Sequence, residues 1–401
     1  MFSGKKRGRT RRVEDRTKAV LTRNGVYEIS RTCYECRYCG TPVIPFDEAL
    51  GVANRTRTVE VDKAIVLLGS ELPFMPARAV LEKLTGLCVS DKTVQEVTEA
   101  AGREAMAMLG EAAEAAKTVK LEPAGGVLDW RQDELPVAYV EPDGSMVPMR
   151  PEDRPEQKPT EDHPGTHREA KMAVIFRGSD VVNISPKRRE VLRKRYVATI
   201  GGVDEFRDKL WAGVVDLVGT TRFQAVVLRD GADWITNLAA DLFPDAIRIL
   251  DIFHPLERIH EIARLLHGPN SIPGKAWAKE QKERLKASKI DEVLAELAIA
   301  SKAEPHKKGD RQTLREKCEE TIAYIGKRRA FMDYATYLAK GLMIGSGIIE
   351  SSHKRVIAQR LKQAGMHWSL EGANAMVHLR ALRLSDGPGW DRLWERLAAA
   401  S

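Results

Sequence analysis

Five short apolar runs spaced through the middle of this 401-residue chain constrain its fold more than any other feature. They are Val137-Ala-Tyr-Val140, Met172-Ala-Val-Ile-Phe176, Tyr196 to Ile200, Phe223-Gln-Ala-Val-Val-Leu228 and Ala246-Ile-Arg-Ile-Leu250. Such runs are too short for core helices and read as buried strands. A helical pattern from Asp204 to Leu217 separates the third run from the fourth. Strands first, then strand and helix in alternation, predict an α/β fold, a mixed sheet with helices packed on it.

The flanks read differently. Lys18 to Thr22 and Val26 to Thr32 alternate like strands around Arg23-Asn24-Gly25, and Asn-Gly is a strong hairpin signal. The second strand runs into Cys33, Cys36 and Cys39, two Cys-x-x-Cys steps. That is one half of a zinc ribbon or a reduced, metal-free knuckle, since no second Cys-x-x-Cys or close histidine pair follows. From Val59 to Gly102 the pattern is helical: Val61, Ala64, Ile65, Leu68 and Leu72 share one face, Pro76 to Leu84 form a second helix, and Ser90 caps a third over Asp91 to Ala101. This order suits a helix-turn-helix DNA reader with Lys92, Thr93, Gln95 and Glu96 outward, although any three-helix bundle looks alike. An alanine-rich helix is expected over Arg103 to Lys117. Beyond the sheet, Pro255 to Lys340 is almost wholly helical, broken at 268–274 and 304–309. A helix over Ile348 to Gln363 and two more close the chain.

Charge narrows the partner. The formal net charge is +7, concentrated in Lys5, Lys6, Arg7, Arg9, Arg11 and Arg12 and again in Lys187, Arg188, Arg189, Arg193, Lys194 and Arg195. Clusters of this kind suit a polyanion, or are solvated faces. No run reaches the roughly 18 apolar residues of a membrane span. The basic start lacks an apolar run after it, so no secretory signal is expected and the cytosol is the expected compartment. Five cysteines, an odd number, with three close together, do not suggest a disulfide framework.

Three acids stand out by position: Asp143 after the first core strand, Asp230 directly after Val226-Val-Leu228, and Glu350 in the first turn of a helix entered through Gly345-Ser346-Gly347. Strand ends are where α/β proteins build sites, and gathered carboxylates suit Mg2+. Each acid also has a plain explanation. Asp143-Gly144 reads as a hairpin turn, Asp230-Gly231 as a strand-to-helix turn, and Glu350 as a dipole partner.

The words around them decide between these readings. Val227-Leu-Arg-Asp230-Gly-Ala-Asp-Trp-Ile235 and Ile344-Gly-Ser-Gly-Ile-Ile-Glu350-Ser-Ser-His-Lys354 resemble the second-aspartate and glutamate motifs of Mutator-like DDE transposases, in particular the ISKra-type group of bacterial insertion sequences. Arg360-Leu-Lys-Gln-Ala-Gly-Met-His-Trp368 followed by Gly372-Ala-Asn-Ala-Met376 is similar to that group. So are Asp143-Gly-Ser-Met-Val-Pro148 and, as the superfamily's Asp/Cys-x-x-His element, Leu250-Asp-Ile-Phe-His254. The likeness runs from about Arg31 to Trp394. Arg229 departs from it, a bulky cation where relatives carry a small residue.

The resemblance implies an RNase H-like catalytic core interrupted by a helical insertion. The expected divisions are 1–50 for the leader, hairpin and Cys knuckle, and 51–118 for the helix-turn-helix module. The first part of the core takes 119–255, the insertion 256–340, and the glutamate helix with C-terminal helices completing the core 341–401. It further implies catalysis and metal binding by Asp143, Asp230 and Glu350 with two Mg2+ ions, Mn2+ substituting. Zn2+ at Cys33, Cys36 and Cys39 stays open. DNA contacts are expected from Lys92, Thr93, Gln95, His254, His353, Lys354, Arg355 and Arg360. The expected partners are double-stranded DNA, as element ends and target, and further copies of the chain in a dimer or larger assembly in a bacterial cytoplasm. Trp234 and Trp368 are expected in the core, in preference to stacking on bases. The competing expectations are a non-catalytic helix-turn-helix regulator and an RNase H-like structure-specific nuclease.

Overall fold

The computed structural model describes residues 10–119, 136–155, 165–185, 188–219, 223–345 and 347–399. Lys5, Lys6, Arg7, Arg9, Pro159, Pro164, Lys187 and Ser346 therefore lie outside the described residues. The chain folds as two compact units, one of residues 1–112, 147–168 and 355–401, the other of 113–146 and 169–354.

In chain order, the elements begin with β1 (Thr10–Thr22), β2 (Gly25–Cys36), β3 (Pro42–Val43) and α1 (Pro45–Ala49). Helices α2 (Val59–Glu71), α3 (Phe74–Thr85) and α4 (Asp91–Ala116) follow. Then come β4 (Val137–Pro148), β5 (His167–Arg177), β6 (Val181–Ser185), β7 (Arg188–Val191), β8 (Arg195–Thr199), α5 (Val203–Val218), β9 (Gln224–Arg229), α6 (Asp233–Leu242) and β10 (Ile247–Leu250). The rest is helical: α7 (Phe253–His267), α8 (Ile272–Lys286), α9 (Ile290–Ala300), α10 (Arg311–Arg328), α11 (Tyr334–Ala339), α12 (Gly347–His353), α13 (Gln359–Leu361), α14 (Leu370–Leu384) and α15 (Gly389–Ala399).

In the first unit, β1 and β2 form the expected hairpin, with Thr22 opposite Gly25. It is longer than the alternation suggested and mostly exposed; Val20, Arg31 and Cys33 are its buried points. Arg31 holds the buried Asp47 of α1 at 2.5 Å, which fixes α1 against the hairpin. The predicted helical face is the core of α2 to α4: Val61 and Ile65 meet Ala77, Leu81, Leu87 and Val94, with Ala64, Leu68 and Leu72 packed around them. Ser90 does cap the third helix, its Oγ accepting from the Thr93 amide at 3.0 Å. That helix does not end at Ala101 but runs on through Gly102 to Ala116. At Gly102 a Cβ would stand 2.5 Å from the Ala375 carbonyl oxygen, so glycine is what lets α4 and α14 approach. The C-terminal helices, expected to complete the sheet domain, pack here instead: Leu379, Leu382, Leu393 and Trp394 form one cluster with Val66, Ala101 and Ala105.

The second unit holds the sheet, in the order β10-β9-β4-β5-β8. β4, β9 and β10 are parallel neighbours, and β8 pairs antiparallel with β5. All five apolar runs are strands of this sheet. Both faces are covered, which explains their unbroken hydrophobicity. On one face Ala138, Val140, Ala173, Ile175 and Val227 meet Phe206, Leu210 and Val214 of α5 and Leu238 of α6. Trp234 packs edge-on to Phe206, as a core tryptophan. On β4, Tyr139 stacks on Phe176 at 5.0 Å, and its hydroxyl accepts from the Met343 amide. The stretch from Pro255 is helical as read, and Tyr334 of α11 is fully buried with its hydroxyl on the Leu250 carbonyl. No helix among the described residues is long and apolar enough to cross a membrane.

A carboxylate site at the ends of the parallel strands

β4 and β9 run parallel with Val140 directly opposite Val227. Asp143 and Asp230 each follow three residues later, so they meet at the same end of two adjacent strands. The strand β4 does not turn at Asp143-Gly144 but continues to Pro148, which removes the hairpin explanation. Asp143 Oδ1 accepts from the Gly144 amide at 2.7 Å, and a Cβ on Gly144 would meet the Glu169 carboxylate at 2.2 Å. Beyond β9 the chain turns sharply. Asp230 Oδ1 takes the Ala232 amide at 2.8 Å, and the Tyr324 hydroxyl and Arg328 guanidinium hold the Asp230 and Gly231 carbonyls at 2.6 and 2.8 Å.

β10 pairs with β9 so that Leu250 is opposite Arg229, which places Asp251 beside Asp230. Asp251 is fully buried and its Oδ1 accepts from the Phe253 amide, at the start of α7. His254 stands in the first turn of α7. The segment before α12 is tied to the same place, with the Ile252 amide on the Ile344 carbonyl at 2.9 Å. Gly345 passes so close to Phe253 that a Cβ would lie 2.7 Å from its ring. Glu350 thereby reaches the strand ends: Asp251, His254 and Glu350 each offer a ligand atom, all within 4.8 Å of one another.

The electrostatics describe a charge-dense pocket. Burial pushes the Asp143 carboxyl up to about 6; the Gly144 amide and His254 oppose the rise, and the charges of Asp230 and Glu350 add to it. Glu350 is exposed as a residue, yet burial of its carboxyl end raises it, its own backbone amide and His254 oppose this, and Asp251 and Glu257 add to it. His353 Nε2 lies 3.3 Å from Asp143 Oδ2, an ion pair when the imidazole is protonated.

Glu141, which the sequence did not single out, is completely buried on β4, and neither of its oxygens makes a full hydrogen bond. Burial raises its carboxyl well above the usual range; Asp251 and Glu350 add to this, and the nearby Ile349 amide holds it back in part. Strand alternation puts Tyr139, Glu141 and Asp143 on one face of β4. The only available sequence signal was an acid directly following an apolar run.

The remaining expected site residues fall into three groups. Lys92 is exposed and pairs with Glu96 at 3.7 Å, Thr93 is tied to Ser90, and Gln95 donates to Glu99. Lys354 and Arg355 are exposed on a π-helical turn over Lys354–Ala358. Arg360 is a correction. It is fully buried, donates to the Gly69 carbonyl at 3.0 Å, and stacks on Phe74 and Trp368, so it serves packing and is closed to phosphate. The π turn carries one extra residue and shifts the helical phase, which the assumption of one continuous helix over 348–363 missed. Trp368 is core, as expected.

Among the described residues, neither Cys33, Cys36 and Cys39 nor Asp143, Asp230 and Glu350 form a group whose ligand atoms meet the spacing that Asp251, His254 and Glu350 meet. Cys33 is buried and Cys39 exposed, 3.1 Å from the Thr41 hydroxyl. Arg229 is buried too, its guanidinium 3.9 Å over the Phe331 ring and bonded to Thr236, so its side chain is taken up in packing beside the site. In the basic cluster, Arg193 pairs with Asp180 and Arg195 with Asp216.

From Asp230 a cleft of about 670 Å3 extends along α7 and α10, lined by His254, Arg258, Arg264, Lys317, Tyr324 and Arg328 among others. Two guanidiniums, Arg258 at 4.4 Å and Arg328 at 4.1 Å, lie over the Tyr324 ring.

A profile described as an uncharacterised protein family, UPF0236, matches residues 4–396, and the chain belongs to that family. It is similar to a protein named "UPF0236 protein in vanSb 3'region" from Streptococcus gallolyticus, 25% identical over 338 residues. That match covers 84% of this chain and 66% of the relative, so the chain spans just under two thirds of the relative's length.

Proposed function

We propose that this member of the UPF0236 family is a DDE transposase, which cuts DNA phosphodiesters at the ends of a mobile element and joins the 3′ ends to target DNA. The observation that carries the reading is the convergence of Asp143, Asp230 and Glu350, residues remote in sequence, on the ends of two parallel strands. The sheet order, with β4 central between β9 and β5, supports an RNase H-like core, and the helices α7 to α11, lying in sequence between β10 and Glu350, support a helical insertion.

Divalent cations fit the residues present. Several carboxylates share a partly buried space: burial and then the charges of Asp230 and Glu350 raise Asp143, burial and then the charges of Asp251 and Glu257 raise Glu350, and both oxygens of the buried Glu141 lack a full partner. Asp143, Asp230 and Glu350 would hold two Mg2+ ions, and the chemistry these supply when bound is activation of a water or 3′-hydroxyl and stabilisation of the leaving oxygen. The protein's own groups do the rest. The amides of Gly144 and Ala232 fix the two aspartates, and Tyr324 and Arg328 fix the turn after β9. The adjoining cleft mixes charges, with Glu257 and Glu261 beside Arg258 and Arg264 and with Lys317 paired to Glu261 and Glu320, so Arg258 and Arg264 are its candidates for a phosphodiester backbone. His353 Nε2, 3.3 Å from Asp143 Oδ2, places a positive charge beside that carboxylate when the imidazole is protonated. Helices α2 to α4, with Lys92, Thr93 and Gln95 near the start of α4, supply the helix-turn-helix reader of the inverted repeats.

Purified full chain with Mg2+ and DNA carrying the element's ends tests this. Cleaved and joined products are expected, with Glu350→Gln binding DNA normally and losing at least about a thousandfold in both steps. Joined products that survive Glu350→Gln sink the reading; cutting without joining points to a nuclease, and metal-independent binding alone to a regulator.

A further inference from the structure

We infer that Asp251, His254 and Glu350 bind a divalent cation of their own, with Glu141 as the buried acid that accepts a hydrogen bond from a water on that cation. The site shares Glu350 with the proposed catalytic acids and so rests on that reading for its place in catalysis, but not for its existence.

Ligands about 2.0–2.2 Å from an ion stand at most roughly 4.4 Å apart. The three candidate atoms, within 4.8 Å of each other, need only a small closure. Two of the three are set by backbone: Asp251 by its bond to the Phe253 amide, and His254 by its place at the head of α7. Glu350 is delivered by the link between Ile252 and Ile344.

The independent observation is Glu141. A carboxyl with 0% exposure and no full hydrogen bond is costly to bury, and such groups persist where a partner completes them. Its neighbours by charge are Asp251 and Glu350, two further acids, which make the arrangement worse unless a cation stands among them. Cations retain waters, and outer carboxylates that accept from those waters orient the site. Two carboxylates and one imidazole make a mixed oxygen and nitrogen donor set, suited to a first-row ion such as Mn2+ or Zn2+ in preference to Ca2+.

Metal-free full chain titrated with Mn2+ alone, without DNA, provides the test. The parent for comparison is Asp143→Asn with Asp230→Asn, which leaves this cluster intact. One Mn2+ should bind that parent and show imidazole-nitrogen coupling in pulsed electron paramagnetic resonance, and His254→Ala should remove the coupling. Adding Glu141→Gln should weaken Mn2+ about 10–100-fold, the range for an outer-sphere partner. Glu141→Leu should raise the melting temperature of the metal-free chain and shift its rise with Mn2+ to about 10–100-fold higher Mn2+, which separates a weakened cation site from a lost fold. Absence of nitrogen coupling in the parent, or equal Mn2+ affinity with and without Glu141→Gln, overturns the inference. Normal Mn2+ binding by a chain that never cuts DNA sinks the transposase reading alone.

Discussion

Asp143 and Asp230 occupy equivalent positions on neighbouring parallel strands, each three residues beyond the opposed pair Val140 and Val227. Strands about 4.8 Å apart bring such positions within direct electrostatic reach. β4 continues past Asp143 while β9 stops at Arg229, so one acid is held in extended backbone and the other in a turn. The register of the sheet alone makes the two carboxylates neighbours, and their repulsion is part of what lifts Asp143.

Burial of Asp143, and after it that repulsion, has a pH signature. Asp143 stands at about 6 in the fold, against about 3.9 in an unfolded chain. A raised acid stabilises the fold in its protonated form, so the contribution is complete below about pH 4 and is lost as pH rises through about 6. Metal-free protein should lose at most about 3 kcal/mol from this group over that window. Denaturation midpoints in a chelator across a pH series measure it: Asp143→Asn should flatten the slope, and millimolar Mg2+ should flatten it in the unaltered chain. A variant that keeps the full slope would clear Asp143 of the effect.

Arg360 should behave as a core residue. Arg360→Ala removes a hydrogen bond to Gly69 and the contacts with Phe74 and Trp368, for an expected loss of about 2–4 kcal/mol. Arg360→Met keeps volume without the buried charge and should lose less than about 1.5 kcal/mol. Urea unfolding reads both. The salt dependence of DNA binding by Arg360→Met should match that of the parent, and a shallower slope would return Arg360 to the DNA surface.

Arg264 is exposed on the cleft beside Asp230. If it meets a backbone phosphate, Arg264→Ala should reduce the slope of log K against log salt by about 0.9 and weaken unrelated sequences equally. Arg328→Ala should act differently, because Arg328 also holds the Gly231 carbonyl: metal binding at the neighbouring acids should weaken even without DNA. Filter binding over a salt series, paired with Mn2+ titration, distinguishes the two roles.

Gly102 tests the packing of the first unit. Alanine is the better helix former by about 1 kcal/mol, yet its Cβ would press on the Ala375 carbonyl at 2.5 Å. Gly102→Ala should therefore destabilise, by about 1–3 kcal/mol net. A rise in melting temperature would show that α4 and α14 do not approach as closely as described.

The five strands, the α2–α4 helices, the helical stretch after the sheet, and the placing of Asp230 after a strand and of Glu350 in a first helical turn were all legible in the chain. Period and run length report burial directly, and acids at strand ends stand out against apolar runs. What sequence could not supply was anything that depends on which element lies against which. Glu141 looks like the end of a strand until Asp251 and Glu350 are seen around it. Asp251 looks like a helix cap until His254 and Glu350 stand beside it. Arg360 looks like a surface cation until a π turn rotates it onto two aromatic rings. The last two helices carry an apolar face but no address, and only packing sent them to α2 and α4. Local pattern is written residue by residue, because it reflects each side chain's own preference for water or core. Partnership is a property of pairs far apart in sequence, and only the folded backbone chooses those pairs.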